Sequence, residues 1–229
     1  MIKKIIIAFL VMLAALLLLG FFLHSELNNI YIYQHESGLL YEGKPIEQIM
    51  AEGKMTLLPD FTYSGDNFYE QLVYDVYSWR EFNEKPSFFV LSARIFGRYE
   101  EADMMNVFAT VYAVYYHLYG KILVKDKTVF EPVCVTFTKR SDGQYEYFYI
   151  NRAKRGDGFN QSVYDFCLTP VTGRQLPDIA EQILNHYDNY GDLLELQRAN
   201  LIEHLQKCEQ KGVSLYLLNE GKPLLVPLT

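Results

Sequence analysis

The sequence has 229 residues, half of them hydrophobic, and its 19 Tyr and 15 Phe supply enough large side chains for a sizeable core. The formal net charge is −7 and basic residues form only short pairs such as Lys139–Arg140, which excludes the basic footprint of a nucleic-acid-binding protein. The three cysteines, Cys134, Cys167 and Cys208, lack the close spacing of a zinc or redox site.

The first feature along the chain is an apolar segment, Ile5–Leu23, of 19 residues without a charged or strongly polar side chain. As a helix it would be about 28 Å long, close to the roughly 30 Å of a hydrocarbon core. It ends in Phe-Phe-Leu-His-Ser, without the small residues of a cleavage site, and no nearby cysteine is available for lipidation. These features indicate that residues 1–24 are an uncleaved transmembrane anchor. The less favoured alternatives are a cleaved secretory signal and a buried core helix.

The charges beside the apolar segment predict its orientation. Lys3 and Lys4 precede it, whereas the segment after it carries only Lys44. The positive-inside rule therefore places the N-terminus in the cytoplasm. We expect a single-pass protein of the cell membrane that contacts the lipid bilayer through residues 5–23 and has its C-terminal domain outside the cell.

Residues 25–43 show no sustained periodicity and are predicted to be a linker, so that residues 44–229 form the extracytoplasmic domain. A short helix is predicted to follow Pro45 and to end at Gly53. A second helix is predicted over 66–82, with Asp66 as its cap. Its apolar face is predicted to consist of Phe68, Leu72, Val76 and Trp79.

The centre of the chain is typical of a sheet. Residues 88–99 and 107–119 are rich in Phe, Tyr, Val and Ile, and an acidic connection separates them. Residues 133–138 and 145–150 alternate on either side of Ser-Asp-Gly, which indicates a β-hairpin. We predict an α+β domain with a mostly antiparallel sheet of about four strands flanked by helices.

Helical patterns return after the sheet. Residues 161–168 form a short amphipathic turn, and Pro177 opens a helical stretch to about Lys211 that Gly191 interrupts. The tail, 213–229, is predicted to be an edge strand or a docked extended segment. No repeat or low-complexity tract is present.

Linear motifs of hydrolytic enzymes are missing from the sequence: no serine begins Ser-x-x-Lys, and no His-Glu-x-x-His occurs.

His186 and His204 are predicted to be surface histidines about 27 Å apart along a helix, too far to share a metal. His117 is predicted to be an ordinary sheet histidine. The cysteines are predicted to be buried or half-buried thiols, with one disulfide as the alternative outside the cell. We expect no catalytic residue, metal or cofactor.

The candidate ligand-binding residues are Asp157, Tyr112, Tyr116 and Tyr145. Asp157 lies between two glycines, where its presence is also explained by turn geometry. Tyrosines that alternate along exposed strands can form a stacking surface for sugars or peptides, although large aromatic side chains more often pack in a core. The sequence leaves both interpretations open.

Five short segments carry a resemblance to a known domain: SARIFG at 92–97, VYAVYY at 111–116, PVCVTF at 132–137, DGQY at 142–145 and GDGxxxSV at 156–163. Over roughly residues 66–205 the chain resembles an uncharacterised extracytoplasmic domain of low-GC Gram-positive bacteria. That domain is found at the C-terminus of some antirepressor-type membrane metallopeptidases, relatives of the β-lactam sensors, and in small anchored proteins. The resemblance implies a sensor or accessory domain without transferable catalytic residues, and the zinc motif of the large members is missing here.

These observations predict a membrane-anchored extracytoplasmic binding or sensing module without catalytic activity. Its expected partners, besides the bilayer, are an envelope protein or a small ligand, and no nucleic acid. The alternative is a cell-envelope enzyme or immunity factor whose site has no linear motif. Convergent carboxylates in a cleft, or a His beside Ser or Cys, would favour that alternative.

Overall fold

The computed structural model describes residues 33–35, 38–41, 43–59, 61–78, 86–219 and 222–228. The predicted anchor, residues 5–23, and Trp79 lie outside the described residues. None of the helices in the described part is both long and apolar enough to cross a membrane. The chain divides into two compact units, one of residues 1–54 with 218–225 and the other of residues 55–217 with 226–229.

The described residues of the first unit include a small antiparallel sheet and a short helix. Its strands are β1 (Tyr33–His35), β2 (Gly38–Tyr41) and β3 (Lys44–Pro45), paired in that order. The strands β1 and β2 fall in the segment that the sequence predicts to be a linker. Helix α1 (Ile46–Glu52) starts directly after Pro45, whose fixed φ suits a helix start, and this short helix is confirmed.

The second unit begins with helix α2 (Phe68–Ser78) and continues with four strands. These strands are β4 (Phe88–Glu101), β5 (Met104–Tyr119), β6 (Ile122–Lys139) and β7 (Tyr145–Arg152). Each pairs with the next in antiparallel register, so the predicted antiparallel strands and the 133–150 hairpin are confirmed. The strands are longer than predicted, above all β6.

Two further strands enlarge the sheet beyond the predicted four. With β8 (Ser214–Asn219) and β9 (Lys222–Pro227), the described chain has a six-stranded sheet of order β4-β5-β6-β8-β9, in which β7 also pairs with β6. Strand β8 runs parallel to the start of β6, where Ile122 pairs with Ser214. The sheet is therefore mixed, with antiparallel pairs from β4 to β7 and a short parallel pair between β6 and β8, and the fold class is α+β.

Three helices separate β7 from β8. A short 3₁₀ turn, Gly156–Gly158, leads into α3 (Phe159–Phe166), which is followed by α4 (Pro177–Tyr187) and α5 (Gly191–Lys207). The predicted interruption at Gly191 is confirmed, because α5 starts there. Helix α4 has Pro177 as its first residue, the position that tolerates a missing N–H.

The sheet carries apolar side chains on both faces, because neighbouring residues of a strand point in opposite directions. On β5, Val107 belongs to a core cluster that includes residues of α2 and α5, whereas Phe108 belongs to a second cluster with residues of α3 and α4. Helices therefore cover the sheet on either face, and β5 is buried along nearly its whole length.

Buried hydrogen bonds fix helices to the sheet. Gln197 of α5 accepts a hydrogen bond from the Ser92 hydroxyl at 2.9 Å and donates one to the Val90 carbonyl at 3.2 Å. On the other face, Asn106 accepts a hydrogen bond from Thr136 at 2.7 Å and donates one to the Leu168 carbonyl at 2.8 Å. Because buried polar groups are costly when unpaired, these bonds specify how the elements align.

Candidate functional site

A pocket of about 250 Å³ lies between α2 and the β6–β7 hairpin. Helix α2 forms one wall, the strands form the floor, and the hairpin turn forms the rim. The lining residues are Leu72, Asp75, Val76, Phe137, Arg140, Gln144, Tyr145, Glu146 and Tyr147. Its mixture of aromatic, aliphatic and charged side chains is typical of a binding site.

The wall of the pocket exists because α2 is apolar on two faces. Its buried residues are Val73, Tyr74 and Tyr77, which pack into the core. Leu72 and Val76, predicted from the sequence to form the apolar face, are half-buried: they pack against the edge of this core and also line the pocket. Of the predicted face, Phe68 is exposed, and the adjacent stripe with Val73 and Tyr77 is the one that is fully buried.

Both ends of α2 are held by hydrogen bonds. At its start Asn67, rather than the predicted Asp66, caps the helix by accepting the backbone N–H of Tyr69 at 3.0 Å. In its last turn, the Tyr77 hydroxyl donates to Oε1 of Glu131 on β6 at 2.7 Å. The same carboxylate oxygen accepts Nε of Arg152 at 3.1 Å. The wall is therefore fixed against the floor by contacts outside the pocket.

The floor combines a buried phenylalanine with two strand tyrosines. Phe137 is buried and pairs across the strands with Tyr147, while Tyr145 pairs with Lys139. A β-bulge follows, between Thr136 and Phe137, so that β7 contains an extra residue opposite this point. Tyr145 and Tyr147, two positions apart on one strand, therefore share the face that α2 partly covers.

Two charged side chains, Lys139 and Glu100, lie beside Tyr145. The Lys139 ammonium lies 5.9 Å from the centre of its ring, and Phe68 packs against it at 6.2 Å. Burial first, and then a hydrogen bond to Glu100, raise the pKa of Tyr145 above its ordinary value. The phenol is therefore neutral at physiological pH and presents an aromatic face to the pocket.

The rim carries two carboxylates and one guanidinium. Asp75 accepts a hydrogen bond from Gln71 at 2.8 Å, and Glu146 is exposed. Arg140 lies 3.4 Å from a carboxylate oxygen of Asp142, within the hairpin turn itself. Among the residues that line the pocket, two carboxylates thus face one guanidinium that is already paired, while the Lys139 ammonium lies beside the pocket over Tyr145.

Strand β7 exposes an unusual amount of aromatic surface. The exposed fractions are 37% for Tyr147, 57% for Phe148 and 37% for Tyr149, and Phe68 on α2 is 52% exposed. Among the described strands, β7 pairs with β6 alone, so it is an edge strand. Exposed apolar side chains that are grouped at a sheet edge mark an interaction site more often than a polar edge does.

Of the four residues predicted to bind a ligand, Tyr145 lies at the pocket and the others do not. Tyr112 and Tyr116 are buried on β5 towards the opposite end of the sheet, where the Tyr112 hydroxyl accepts the Lys125 ammonium at 3.2 Å and Tyr116 stacks on Phe88. Asp157 is exposed in the 3₁₀ turn that follows the far end of β7. The structure therefore does not bring the four residues together.

The histidines differ from the sequence expectation. His204 is buried between the rings of Phe61 and Phe88, and His186 lies 2.8 Å from a carboxylate oxygen of Asp192. The prediction of a surface position was therefore wrong for His204, whereas His186 is half-buried, and the two lie on different helices, α4 and α5, rather than on one. His117 lies on β5 beside Met55 and 3.5 Å from Asp126. Among the described residues, no group of three potential metal ligands occurs.

His204 and Cys208 form a His–Cys pair at the end of α5. Nε2 of His204 lies 3.8 Å from Sγ of Cys208, the residue that caps the helix. Burial raises the pKa of the Cys208 thiol, whereas a nucleophilic cysteine needs a lowered pKa. Cys134 and Cys167 are buried and all three thiols are free, so the prediction of buried or half-buried thiols is confirmed. The pair lacks the electrostatics of a catalytic dyad.

Comparison of the chain with models of protein families, with curated proteins and with solved structures found no match. Most residues of the pocket, including Asp75, Arg140 and Glu146, were not predicted from the sequence. Two signals point to them in retrospect: the second apolar stripe of α2, and the exposed aromatic run in β7 where a half-buried strand would show polar residues.

Proposed function

We propose that the chain is a membrane-anchored extracytoplasmic binding or sensing module, and that the pocket between α2 and β7 is its ligand site. The observation that carries this proposal is the second apolar stripe of α2. Leu72 and Val76 pack against the edge of the core but stay partly exposed, and they line the pocket together with Tyr145 and Tyr147, so the described part of the chain leaves apolar surface accessible there.

The proposed location rests on the sequence. The apolar segment 5–23 and the lysines before it support an anchor with the domain outside the cell. The short segments shared with the extracytoplasmic domain of Gram-positive bacteria support the same location and a sensing or accessory role. In that setting the bilayer is one partner, and an envelope protein or small ligand at the pocket is the other.

The location is tested by protease treatment of intact cells that express the full chain with a C-terminal tag. We expect the tag and the domain to be digested, while a cytoplasmic marker protein survives. Protection of the tag in intact cells, with digestion after lysis, would reverse the proposed orientation.

The ligand site is tested by photo-crosslinking in the same cells. A benzophenone amino acid at position 147 should give a discrete adduct, because this side chain lines the pocket. The same amino acid at position 181, an exposed residue of α4, is the matched control and should give none. Equal labelling at both positions, or none at position 147, counts against a ligand site here.

A second candidate function, a cell-envelope enzyme or immunity factor, is favoured by one observation. Asp75 and Glu146 line the same pocket, and paired carboxylates are what hydrolysis of a glycosidic bond requires. An enzyme of this kind should release nitrophenol from nitrophenyl glycosides, and Asp75→Asn and Glu146→Gln should each abolish the release. A binding module should show no turnover with the unmodified chain.

A further inference from the structure

We infer that the ligand of this site is an extended basic peptide segment, which adds as a strand to the open edge of β7 and places a Lys or Arg side chain in the pocket. This inference rests on the proposed function and deepens it by naming the chemistry of the partner. Three properties of the described residues carry it: the edge, its position beside the pocket, and the charge of the lining.

The first property is the open edge of β7. In the described part of the chain its backbone hydrogen bonds run to β6, and no strand pairs along its other side. Between Glu146 and Arg152 the strand has five residues, Tyr147–Asn151, without charge or proline. Natural edges that avoid partners are protected by charges or proline. Within β7, charges stand only at the two ends of this run, and the bulge near Phe148 is its one irregularity, so the run is suited to accept a strand.

The second property is that the edge borders the pocket. Tyr145 and Tyr147 belong both to the edge strand and to the pocket floor. A strand added beside β7 would lie about 4.8 Å away, and its alternate side chains would point to the same face as these tyrosines. Leu72 and Val76 of α2 line the same pocket. A side chain of the added strand on this face would therefore point towards the pocket.

The third property is charge. Asp75 and Glu146 line the pocket, and Arg140 is held by Asp142 in the hairpin turn. The face of Tyr147, which lines the pocket and is 37% exposed, can attract a cation, whereas the position over the ring of Tyr145 is already taken by the Lys139 ammonium. An aliphatic stem against Leu72 and Val76 with a cationic head among carboxylates matches Lys or Arg. The chain's net charge of −7 disfavours a second copy as the occupant and favours a basic partner.

The test uses the full chain in nanodiscs of phosphatidylcholine, whose zwitterionic headgroups do not attract basic peptides. The probe is a fluorescein-labelled peptide, Thr-Lys-Val-Lys-Val-Lys-Thr, which presents lysines on one face when extended. We expect saturable binding by anisotropy, and weakening by about tenfold or more when Glu replaces each Lys. Equal binding of the Glu peptide would overturn the assignment of a cationic side chain.

Strand addition has its own signature. In an extended strand, alternate amides point towards the same neighbour. N-methylation of one alternate set of probe amides should therefore abolish binding, and methylation of the other set should leave it nearly unchanged. Equal effects of the two sets would overturn strand addition.

The site is tested by paired substitutions. Asp75→Asn with Glu146→Gln should weaken binding of the probe by about tenfold. The matched control is Glu181→Gln with Glu195→Gln, which removes the same charge from exposed positions outside the pocket and should change binding by less than about twofold. Equal weakening by both pairs would mean that overall charge attracts the probe.

The outcomes separate this inference from the proposed function. If the probe does not bind while position 147 crosslinks to a discrete species in cells, the pocket is a ligand site and the basic peptide is the wrong ligand. If neither the probe nor any crosslinked species is found, both proposals fail. Thermal unfolding of each variant shows whether it retains the fold.

Discussion

Glu101 and Thr172 are 71 positions apart, yet Oε1 of Glu101 accepts the Thr172 hydroxyl at 2.8 Å and Oε2 accepts the Thr172 backbone N–H at 2.9 Å. The backbone N–H of Val171 donates to the same Oε2 at 2.9 Å. One exposed carboxylate thus ties the end of the β4–β5 hairpin to the turn before α4. The hydrogen bonds, the Thr172 backbone bond first, lower the pKa of Glu101 from 4.5 to about 2.

The contact of Glu101 predicts a pH-dependent stability. Because its pKa is lower in the folded state, the stabilisation is present above about pH 4.5 and is lost as the pH falls towards 2. Glu101→Gln should therefore lower the urea midpoint of unfolding at pH 6 and should have a smaller effect at pH 3. Glu195→Gln, at an exposed position of α5, is the control. A Glu101→Gln effect of equal size at both pH values would contradict the prediction.

Removal of the Gln197 side chain should destabilise the fold. Its side chain accepts from Ser92 and donates to the Val90 carbonyl inside the core. Gln197→Ala leaves those groups buried without this partner, which costs about 1–3 kcal/mol in the free energy of unfolding. Gln206→Ala, on the same helix but exposed, should stay within about 0.5 kcal/mol. Urea denaturation measures both, and similar losses in the two variants would show that the bonds of Gln197 do not matter.

The two faces of α2 can be told apart with one residue type. Val73 is fully buried and Val76 is half-buried beside the pocket. Val73→Ala should lower the free energy of unfolding by about 2 kcal/mol, because two buried carbons are lost and a cavity remains. Val76→Ala should cost less than about 1 kcal/mol. If the order of the two costs is reversed, the stripe that includes Leu72 and Val76 belongs to the core.

The thiols should react in a fixed order. Burial raises the pKa of Cys134 strongly and that of Cys167 to about 12, and only Cys208 is partly exposed. A maleimide at pH 7.5 should therefore modify native protein at Cys208 alone, slowly, and all three cysteines after unfolding. Mass spectrometry of Cys208→Ser should then show no adduct in the native state. Modification of Cys134 before unfolding would contradict the packing of the core.

The sequence predicted the strands where apolar alternation is strong and failed where it is interrupted. In β6, Lys125, Asp126 and Lys127 are exposed and Pro132 has no N–H, so residues 122–132 do not resemble a strand. The Pro132 carbonyl accepts the Ala153 backbone N–H just beyond the last β6–β7 pair. The missing N–H of Pro132 faces the same side, where regular pairing ends, and the structure therefore tolerates the proline.

The pocket was less predictable than the strands for a physical reason. Leu72 and Tyr145 meet there although 73 positions separate them in the sequence, and nothing local to either residue specifies the other. The helical period of α2 was visible, but two apolar stripes compete on it, and only the partners on the sheet decide which one is buried. Tyr112 and Tyr116, which share the tyrosine pattern with Tyr145, lie in the core because β5 is central.

The hydrogen bond between Tyr77 and Glu131 spans 54 positions, and this separation sets the order in which the chain can assemble. At a synthesis rate of about 5–20 residues per second, Tyr77 emerges about 3–11 s before Glu131. During that interval the apolar residues of α2 lack the complete sheet on which they pack, which is when an unfinished chain is exposed to aggregation and to chaperones. Helix α2, the wall of the pocket, is therefore synthesised early and packs against the complete sheet late.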